Sequence, residues 1–578
     1  MPETGNIKYF FKRIINSPVT IALALNALLV HPAWIHRASL NAPLFGFWYE
    51  REIFTLFWIS IDLLAILTLL YLTRNSPWHR WISRIAIILY EVLLAFEIYG
   101  AVIQQLFHRP PVLYNDIFLI VDALYLILNF GWGAWLVALG LIGLIILAFG
   151  WLIPWMFRAV SVSFRESPDS TYLRRIGILL WIGVALVQID WGIHKRDAAA
   201  QLISYRLGQS IGTSLEYYHT MQSTDLGVLT DKYSQFASQE IANPPNVYLF
   251  VFESYGKVLL QRDDFSKHYL AMLGEFRDSL ATRGWRAVTN YSDAPVNGGG
   301  SWMSSATILS GLWIANEPLY HKFIESESPN LVRILKSLGY HTVYLGPANR
   351  ARPGIPIRNP YGFDRLVEYN DLHYRGRPYG WGMIPDQYSL FYANYHYLET
   401  VNKPVLLYFT SLATHTMWKD RAVPPVVEDW RSLNTTTGED RKETLGEHLK
   451  IRISETLLQP YKPDNFLKLI RYDLRVFQRF ITGEIPENSV IVIVGDHQPP
   501  LVTRQKHGTE TILHIISRDT TLLGQFPRDG FARGFRKDND ASGAVRHDDI
   551  FPILMRNLRS AYAREDVVRN AQKKSGNP

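Results

Sequence analysis

Three short stretches of this 578-residue chain hold residue types that could act together. Glu253 follows the run Val247–Phe252, and Asp496-His497 follow Val490-Ile-Val-Ile-Val494 and Gly495. Uninterrupted apolar runs of this length are the pattern of strands covered on both faces in an α/β sheet. Ligands in such sheets bind at the carboxyl ends of the strands, where these groups would sit. An acidic residue after a single strand is more often a helix cap or a solvated turn. Two buried strands ending in metal-competent groups carry more weight than either alone.

The third stretch is Asn297-Gly-Gly-Gly300-Ser301-Trp302, running into Met303–Leu312. Three glycines release the backbone into conformations other residues avoid, and Ser301 then opens a helix. Free amides and the helix dipole beside that hydroxyl suit an anion such as a transferring phosphoryl group. Taken alone, Ser301 reads as an ordinary N-cap after a flexible loop.

The elements that must position these residues recur through the second half of the chain. Buried-strand patterns fall at 247–252, 341–345, 404–410, 489–494 and 512–517. Helical patterns intervene at 265–282, 329–338, 386–400 and 464–482, and this alternation predicts an α/β sheet with helices on both faces. The catalytic domain is expected over 246–560, with a charged tail at 561–578.

Residues 1–193 are dominated instead by long apolar runs, and five spans are expected at about 14–34, 52–73, 82–106, 132–157 and 174–193. Ten Lys and Arg residues lie before the first span, around the loop to the third, and around the loop to the fifth. The alternating loops hold only Arg37, Arg51 and Arg109. Such a bias places the amino terminus in the cytoplasm and everything after about 194 outside. Asn115–Asn129 is apolar but short and carries Asp116 and Asp122, which reads as an interfacial or re-entrant helix; the alternative, a sixth span, would invert the soluble domain and is disfavoured by the charge count. Asp62, Glu91 and Glu97 fall within spans and read as packing partners rather than site residues. The polar segment 194–245 is a connector, helical in pattern, lying along the outer membrane surface.

Much of the basic excess behind the net charge of +7 and the pI near 9.1 lies beside the apolar runs, so a membrane explains it ahead of nucleic acid. The absence of cysteine excludes disulfides, cysteine metal sites and a cysteine nucleophile.

The order Glu253, then GGGSW with Ser310-Gly311, then His415 in SLATHTMW, then Asp496-His497 in IVIVGDHQ resembles the alkaline phosphatase superfamily. Five amino-terminal spans before an extracytoplasmic domain are similar to the lipoteichoic acid synthase and phosphoglycerol transferase group, with phosphoethanolamine transferases next. The resemblance implies a multi-pass membrane domain followed by a sulfatase-like α/β domain. It places a metal set on Glu253, Ser301, Asp496 and His497, with Ser301 standing where the family usually has a threonine nucleophile. His415 matches a substrate-site histidine.

The chemistry is intelligible on its own terms. A serine hydroxyl is a poor nucleophile at neutral pH, and a divalent cation stabilises its alkoxide and neutralises phosphate charge. Two carboxylates, an imidazole and an alkoxide suit Mn2+ or Mg2+ and do not exclude Zn2+. The resemblance, which matches His415 to a substrate-site histidine, implies that it could give a proton to the leaving alcohol and later take one from the acceptor. The family's tryptophan-arginine substrate motif has no clean counterpart in Gly346–Arg352. Arg350, Arg352 and Arg358 are candidates for binding a phosphate, and the sequence does not choose among them. His507 and His514 are further candidates, although a histidine inside an apolar strand, as His514 is, more often serves the core.

The function these features imply is transfer of phosphoglycerol or phosphoethanolamine from a membrane phospholipid to an extracytoplasmic glycan or lipid, at the cell (inner) membrane with the catalytic domain on the periplasmic side. A sulfatase or other hydrolase is the second enzymatic reading. Ser301-Trp-Met-Ser-Ser305 lacks the Pro and Arg that a sulfatase needs around its modified residue. A non-catalytic membrane sensor is the third, and has no chemical reason to keep a serine beside Glu, Asp and His.

Overall fold

The computed structural model describes residues 17–39, 60–107, 109–119, 132–166, 170–194, 202–237, 241–349, 359–379, 384–415, 418, 423–435, 463–500, 502–503, 507–536 and 543–562. They form two compact units, one ending at Tyr218 and one beginning at His219.

The first unit is helical: α1 (Pro18–Ser39), α2 (Ile61–Leu72), α3 (His79–Phe107), α4 (Trp132–Leu147), α5 (Ile153–Glu166) and α6 (Ser170–His194) overlap the five apolar runs. A π-helical turn over Ala148–Leu152 joins α4 to α5. Among the described residues, His79–Ile103 and Ile142–Glu166 are long and apolar enough to cross a membrane, whereas Pro18–Val30 and Ile61–Leu72 are apolar but shorter. Two of the five expected spans thus meet that measure. Leu25, Leu70, Tyr90 and Phe157 pack inside the unit, while Leu139, Ile142, Leu144 and Ile146 are each more than half exposed.

Two acids on these helices are paired with the helix that follows them. Asp62 accepts the Ile203 N–H at 2.7 Å, at the start of α7 (Ile203–Ser223), and Glu97 pairs with Arg206 on the same helix. The helix expected around Asn115 is described from 113 to 119, where Asp116 pairs with Arg109. Its remainder, like the tail from 563, lies outside the described residues.

The second unit is built on a nine-stranded sheet: β1 (Asn246–Phe252), β2 (Arg286–Asp293), β3 (His341–Gly346), β4 (Arg365–Glu368), β5 (Val405–Thr410), β6 (Ser489–Gly495), β7 (Glu510–Ser517), β8 (Ala532–Arg533) and β9 (Val545–Arg546). The order is β4-β3-β5-β1-β6-β7-β2-β8, with β9 beside β2. The five strands from β4 to β6 are mutually parallel, and β7 turns antiparallel at their edge.

Alternate side chains of β1 feed two cores. Tyr248, Phe250 and Phe252 face α8 (Asp263–Ala281) and the helix Pro463–Gly483, where the Phe250 and Phe477 rings stack at 5.1 Å. Val247, Leu249 and Val251 face the opposite core, which holds α9 (Ser301–Ser310) and the carboxyl-terminal helix His547–Ala561. Burial on both faces explains why β1 and β6 carry no polar side chain along their inner lengths.

All five strands expected from apolar runs are present, as are the four helices, of which the one at 386–400 passes from α-helix to π-helix at Asn394. The strands not anticipated are β2, β4 and the two-residue β8 and β9.

Candidate functional site

Strand register brings the first two chemical groups together. β1 and β6 run parallel with Phe252 opposite Gly495, so Glu253 and Asp496 leave the sheet side by side. On the other flank β5 pairs with β1 so that Thr410 meets Val251, which sets Ser411 beside the start of the Glu253 turn. The Ser411 hydroxyl accepts the Glu253 N–H at 3.1 Å. Gly495 is required where it stands, because a Cβ there would lie 2.1 Å from the Tyr255 carbonyl oxygen.

Ser301 arrives from the other direction. Gly298, Gly299 and Gly300 all adopt left-handed backbone, with φ of 77°, 76° and 79°, which glycine enters without strain. The loop they form turns the chain so that Ser301 becomes the first residue of α9. Its hydroxyl lies 3.2 Å from Glu253 Oε2 and 3.2 Å from His497 Nε2.

The His497 ring is fixed by its other nitrogen. Nδ1 donates to the Gln498 carbonyl at 2.9 Å, which leaves Nε2 as the lone-pair atom facing the site. The Gly299 N–H donates to that Nε2 at 3.3 Å. Nε2 is also 3.4 Å from Asp496 Oδ2 and 3.6 Å from Glu253 Oε1.

Asp496 is split between structure and site. Its Oδ1 accepts the N–H groups of Ser254 and His497, each at 2.7 Å. Its Oδ2 is buried and accepts no hydrogen bond among the described residues, although buried polar atoms are nearly always paired. One ligand atom from each of Glu253, Asp496 and His497 lies within 4.8 Å of the others, and all three residues are buried. An orphaned carboxylate oxygen, a second carboxylate, an imidazole lone pair and a hydroxyl converging on one point fit a divalent cation.

The electrostatics agree. Burial, and then the Glu253 carboxylate, raise the Asp496 pKa to about 7. Burial alone would lower that of His497, but Asp496 and Glu253 outweigh it and the net shift is upward. The His497 direction, which runs against burial, reports the negative charge of the two carboxylates, which a cation would relieve.

The remaining expected residues are placed as follows. His415 sits in the turn after β5, its N–H donating to the Leu412 carbonyl at 3.0 Å, while its neighbour Thr414 donates to the Glu253 carbonyl at 2.6 Å. His507 is buried, and its carbonyl accepts from Gln261 at 3.3 Å and from Gln498 at 3.4 Å. His514 proves to be a core residue, with Thr289 Oγ1 at 2.7 Å and the Tyr255 hydroxyl at 3.1 Å, and burial pulls its pKa down to about 3. Arg350, Arg352 and Arg358 lie outside the described residues. Ser304 donates to the Asp496 carbonyl at 2.7 Å and Ser305 accepts from Tyr408 at 2.6 Å, so neither hydroxyl is shared with the Glu253 and His497 side chains as that of Ser301 is.

Sequence reasoning missed three residues around this centre. His547 is fully buried, with Ser292 Oγ at 2.7 Å and the Gly495 carbonyl at 3.1 Å, and so braces the end of β6. At the start of an acidic helix it looks like a capping residue, and nothing in the sequence marks it. Asp386 and Asp473 are the other two.

The protein-family model described as "Sulfatase" matches residues 257–558. The chain belongs to the sulfatase family. Ser301, His415, Asp496 and His497 lie within the matched span, and Glu253 lies four residues before it. This confirms the expected alkaline phosphatase superfamily and its α/β fold. Among the curated proteins no match is found.

Solved structures similar to this sulfatase-family chain include the phosphoethanolamine transferase EptA of Neisseria meningitidis, at 14% identity and TM-score 0.38, covering 94% of this chain and 97% of that one. The lipoteichoic acid synthase LtaP of Listeria monocytogenes has 13% identity and TM-score 0.34, with coverage of 57% and 78%. The phosphoglycerol transferase GacH of Streptococcus pyogenes has 12% identity and TM-score 0.32, with coverage of 60% and 95%.

Proposed function

We propose that this protein is a membrane-anchored transferase that moves a phospho-alcohol head group, phosphoglycerol or phosphoethanolamine, from a phospholipid to a glycan or lipid outside the cell membrane, with Ser301 carrying the head group between them. The observation that supports it best is the position of the Ser301 hydroxyl, 3.2 Å from both Glu253 and His497 at the start of a helix. The positive end of the helix dipole favours the phosphate there.

In this reading Glu253, Asp496, His497 and Ser301 hold one divalent cation, with Mn2+ first and Mg2+ or Zn2+ as the other choices. When bound, it would favour the serine alkoxide and offset phosphate charge. Ser301 Oγ forms a bond to phosphorus as the bond from phosphorus to the diacylglycerol oxygen breaks. His415 gives that oxygen a proton, and later takes one from the acceptor hydroxyl as it displaces Ser301. Arg350, Arg352, Arg358 and His507 remain the candidates for substrate contact.

The apolar helices, with leucines and isoleucines of α4 exposed, support a membrane anchor of about five spans ahead of the 194–245 connector and the 246–560 catalytic domain. A lipid-bound donor gives such an anchor a purpose. The sulfatase reading draws on the family model's description, but no residue in Ser301–Ser305 supplies the Pro and Arg that its serine or cysteine conversion requires.

The test is a single turnover without acceptor. Diacylglycerol should appear in a burst, and the peptide containing Ser301 should gain the mass of the head-group phosphate. Ser301→Ala should abolish both. Labelling of Ser304 or Ser305 instead, or release of sulfate from a sulfate ester without any burst, would overturn the reading.

A further inference from the structure

Two carboxyl groups that the proposed reaction does not use lie beneath the turn that carries His415. Asp386 opens α10 (Asp386–Ala393) and is 1% exposed. Its Oδ1 accepts the Leu412 N–H at 3.0 Å, and its Oδ2 accepts those of Leu412 and Ala413 at 3.0 and 2.8 Å. The same turn is tied on its other side to Glu253, through Ser411 at 3.1 Å and Thr414 at 2.6 Å. Whatever holds Asp386 in place therefore sets both the approach to His415 and the backbone of Glu253.

Asp473, on α11 (Pro463–Gly483), is fully buried; the Gln387 N–H, next to Asp386, donates to the Tyr472 hydroxyl, next to Asp473, at 3.1 Å, and the two carboxyls meet beside this bond. Among the described residues, neither Asp473 oxygen accepts an N–H or O–H in ordinary hydrogen-bond geometry. The other side chains acting on it are the Ser411 hydroxyl and the Glu253 carboxylate, and among the described residues no lysine, arginine or histidine offsets the two acids. Two buried carboxyls in contact without a cation cannot both stay ionised. The N–H donors of Leu412 and Ala413 mark Asp386 as the anion. Asp473, with no such donor, is the residue left to carry a proton. Burial, and then its neighbour's charge, push its carboxyl well above the usual range.

We propose that Asp386 and Asp473 share one proton, with the Asp473 carboxyl donating to the Asp386 carboxylate, and that this pair is the positioning device that fixes the Ser411–His415 turn against Glu253. The kinetic part of its test rests on the transferase reading, whereas the shared proton does not.

The test uses the full-length protein in detergent. Asn at position 473 keeps a neutral donor of the same shape, so Asp473→Asn should retain kcat to within about twofold, while Asp473→Ala removes the donor and should lower kcat about tenfold or more. Asp386→Asn turns an amide N–H towards the N–H groups it must accept and should lose about as much as Asp473→Ala. Difference infrared spectra at about neutral pH should show a protonated-carboxyl band in the wild type that Asp473→Asn removes. Asp473→Asn behaving like Asp473→Ala, or an unchanged carboxyl band in Asp473→Asn, would overturn the proposal. Should Asp473→Ala fail to fold, the band and the activity of Asp473→Asn still decide it. A wild type that shows the band but transfers no head group would sink the transferase reading and leave the pair standing.

Discussion

Asp496→Asn should make the metal-free protein more stable and deprive it of the stability a cation confers. Oδ1 is fixed by two N–H groups at 2.7 Å, and an asparagine can keep both with its own carbonyl oxygen. The change falls on Oδ2, which faces Glu253 and His497 without a donor. An amide there removes one buried charge and offers an N–H to its neighbours. The magnitude follows from the wild-type carboxyl, whose pKa rises from 3.8 to about 7 on folding, through burial first and the Glu253 carboxylate second.

Because the folded carboxyl holds its proton to higher pH than the unfolded one, the folded state binds the extra proton between those values. Stability of the metal-free protein therefore falls as pH rises from 3.8 to about 7, and stays down above that. At about 1.4 kcal/mol per pKa unit the gap is worth about 4 kcal/mol. With roughly 2–4 °C of melting temperature per kcal/mol, chelated Asp496→Asn should melt about 8 °C or more above chelated wild type at about pH 8. The assay is thermal unfolding of the purified full chain after chelation, repeated with Mn2+. Added Mn2+ should raise the wild type and leave the variant where it was. A chelated variant that melts below the wild type, or a cation that raises both equally, would remove Asp496 from the centre.

Other perturbations reach different parts of the argument. Gly300→Ala meets a φ of 79° and a Met303 methyl 2.9 Å from the new Cβ; it should cost about 1–2 kcal/mol and slow labelling of Ser301, measured by unfolding and by single turnover. His514→Leu should lower stability by about 1–3 kcal/mol at neutral pH by removing one buried hydrogen bond each from Thr289 and Tyr255, with the cation content unchanged. With a folded pKa of about 3 against 6.5 unfolded, the neutral wild-type His514 loses its stabilising contribution as pH falls from 6.5 to about 3, and the variant should lack that component in its acid-unfolding profile. A reporter fused after about residue 200 should be active only outside the cytoplasm, and cytoplasmic activity would overturn the five-span reading.

The fold was legible where burial is uniform and obscure where buried residues are polar. β1 and β6 announce themselves because both faces are covered by apolar cores. β2 hides because Thr289 and Ser292 sit inside it, satisfied by His514 and His547. Those bonds come from distant strands and helices, so no local pattern could supply them. Apolar runs marked the helices of the first unit, but how far each extends as an apolar helix depends on tertiary context.

For the site, the readable part was which groups stand at strand ends, and the unreadable part was which strands are neighbours. Glu253 and Asp496 meet through the pairing of Phe252 with Gly495 across a parallel ladder that only the assembled sheet defines. Asp473 did leave a signal. Leu469, Ile470, Asp473, Val476, Phe477 and Phe480 are spaced three and four residues apart and all are buried, so an acid occupies the apolar stripe of an amphipathic helix. A charge on that face has no stable state without a partner or a proton. Asp386, just after Pro385, reads instead as an ordinary acidic residue in a first helical turn. The stripe thus reveals that an unusual carboxyl exists, and only the contact between α10 and α11 reveals what it is for.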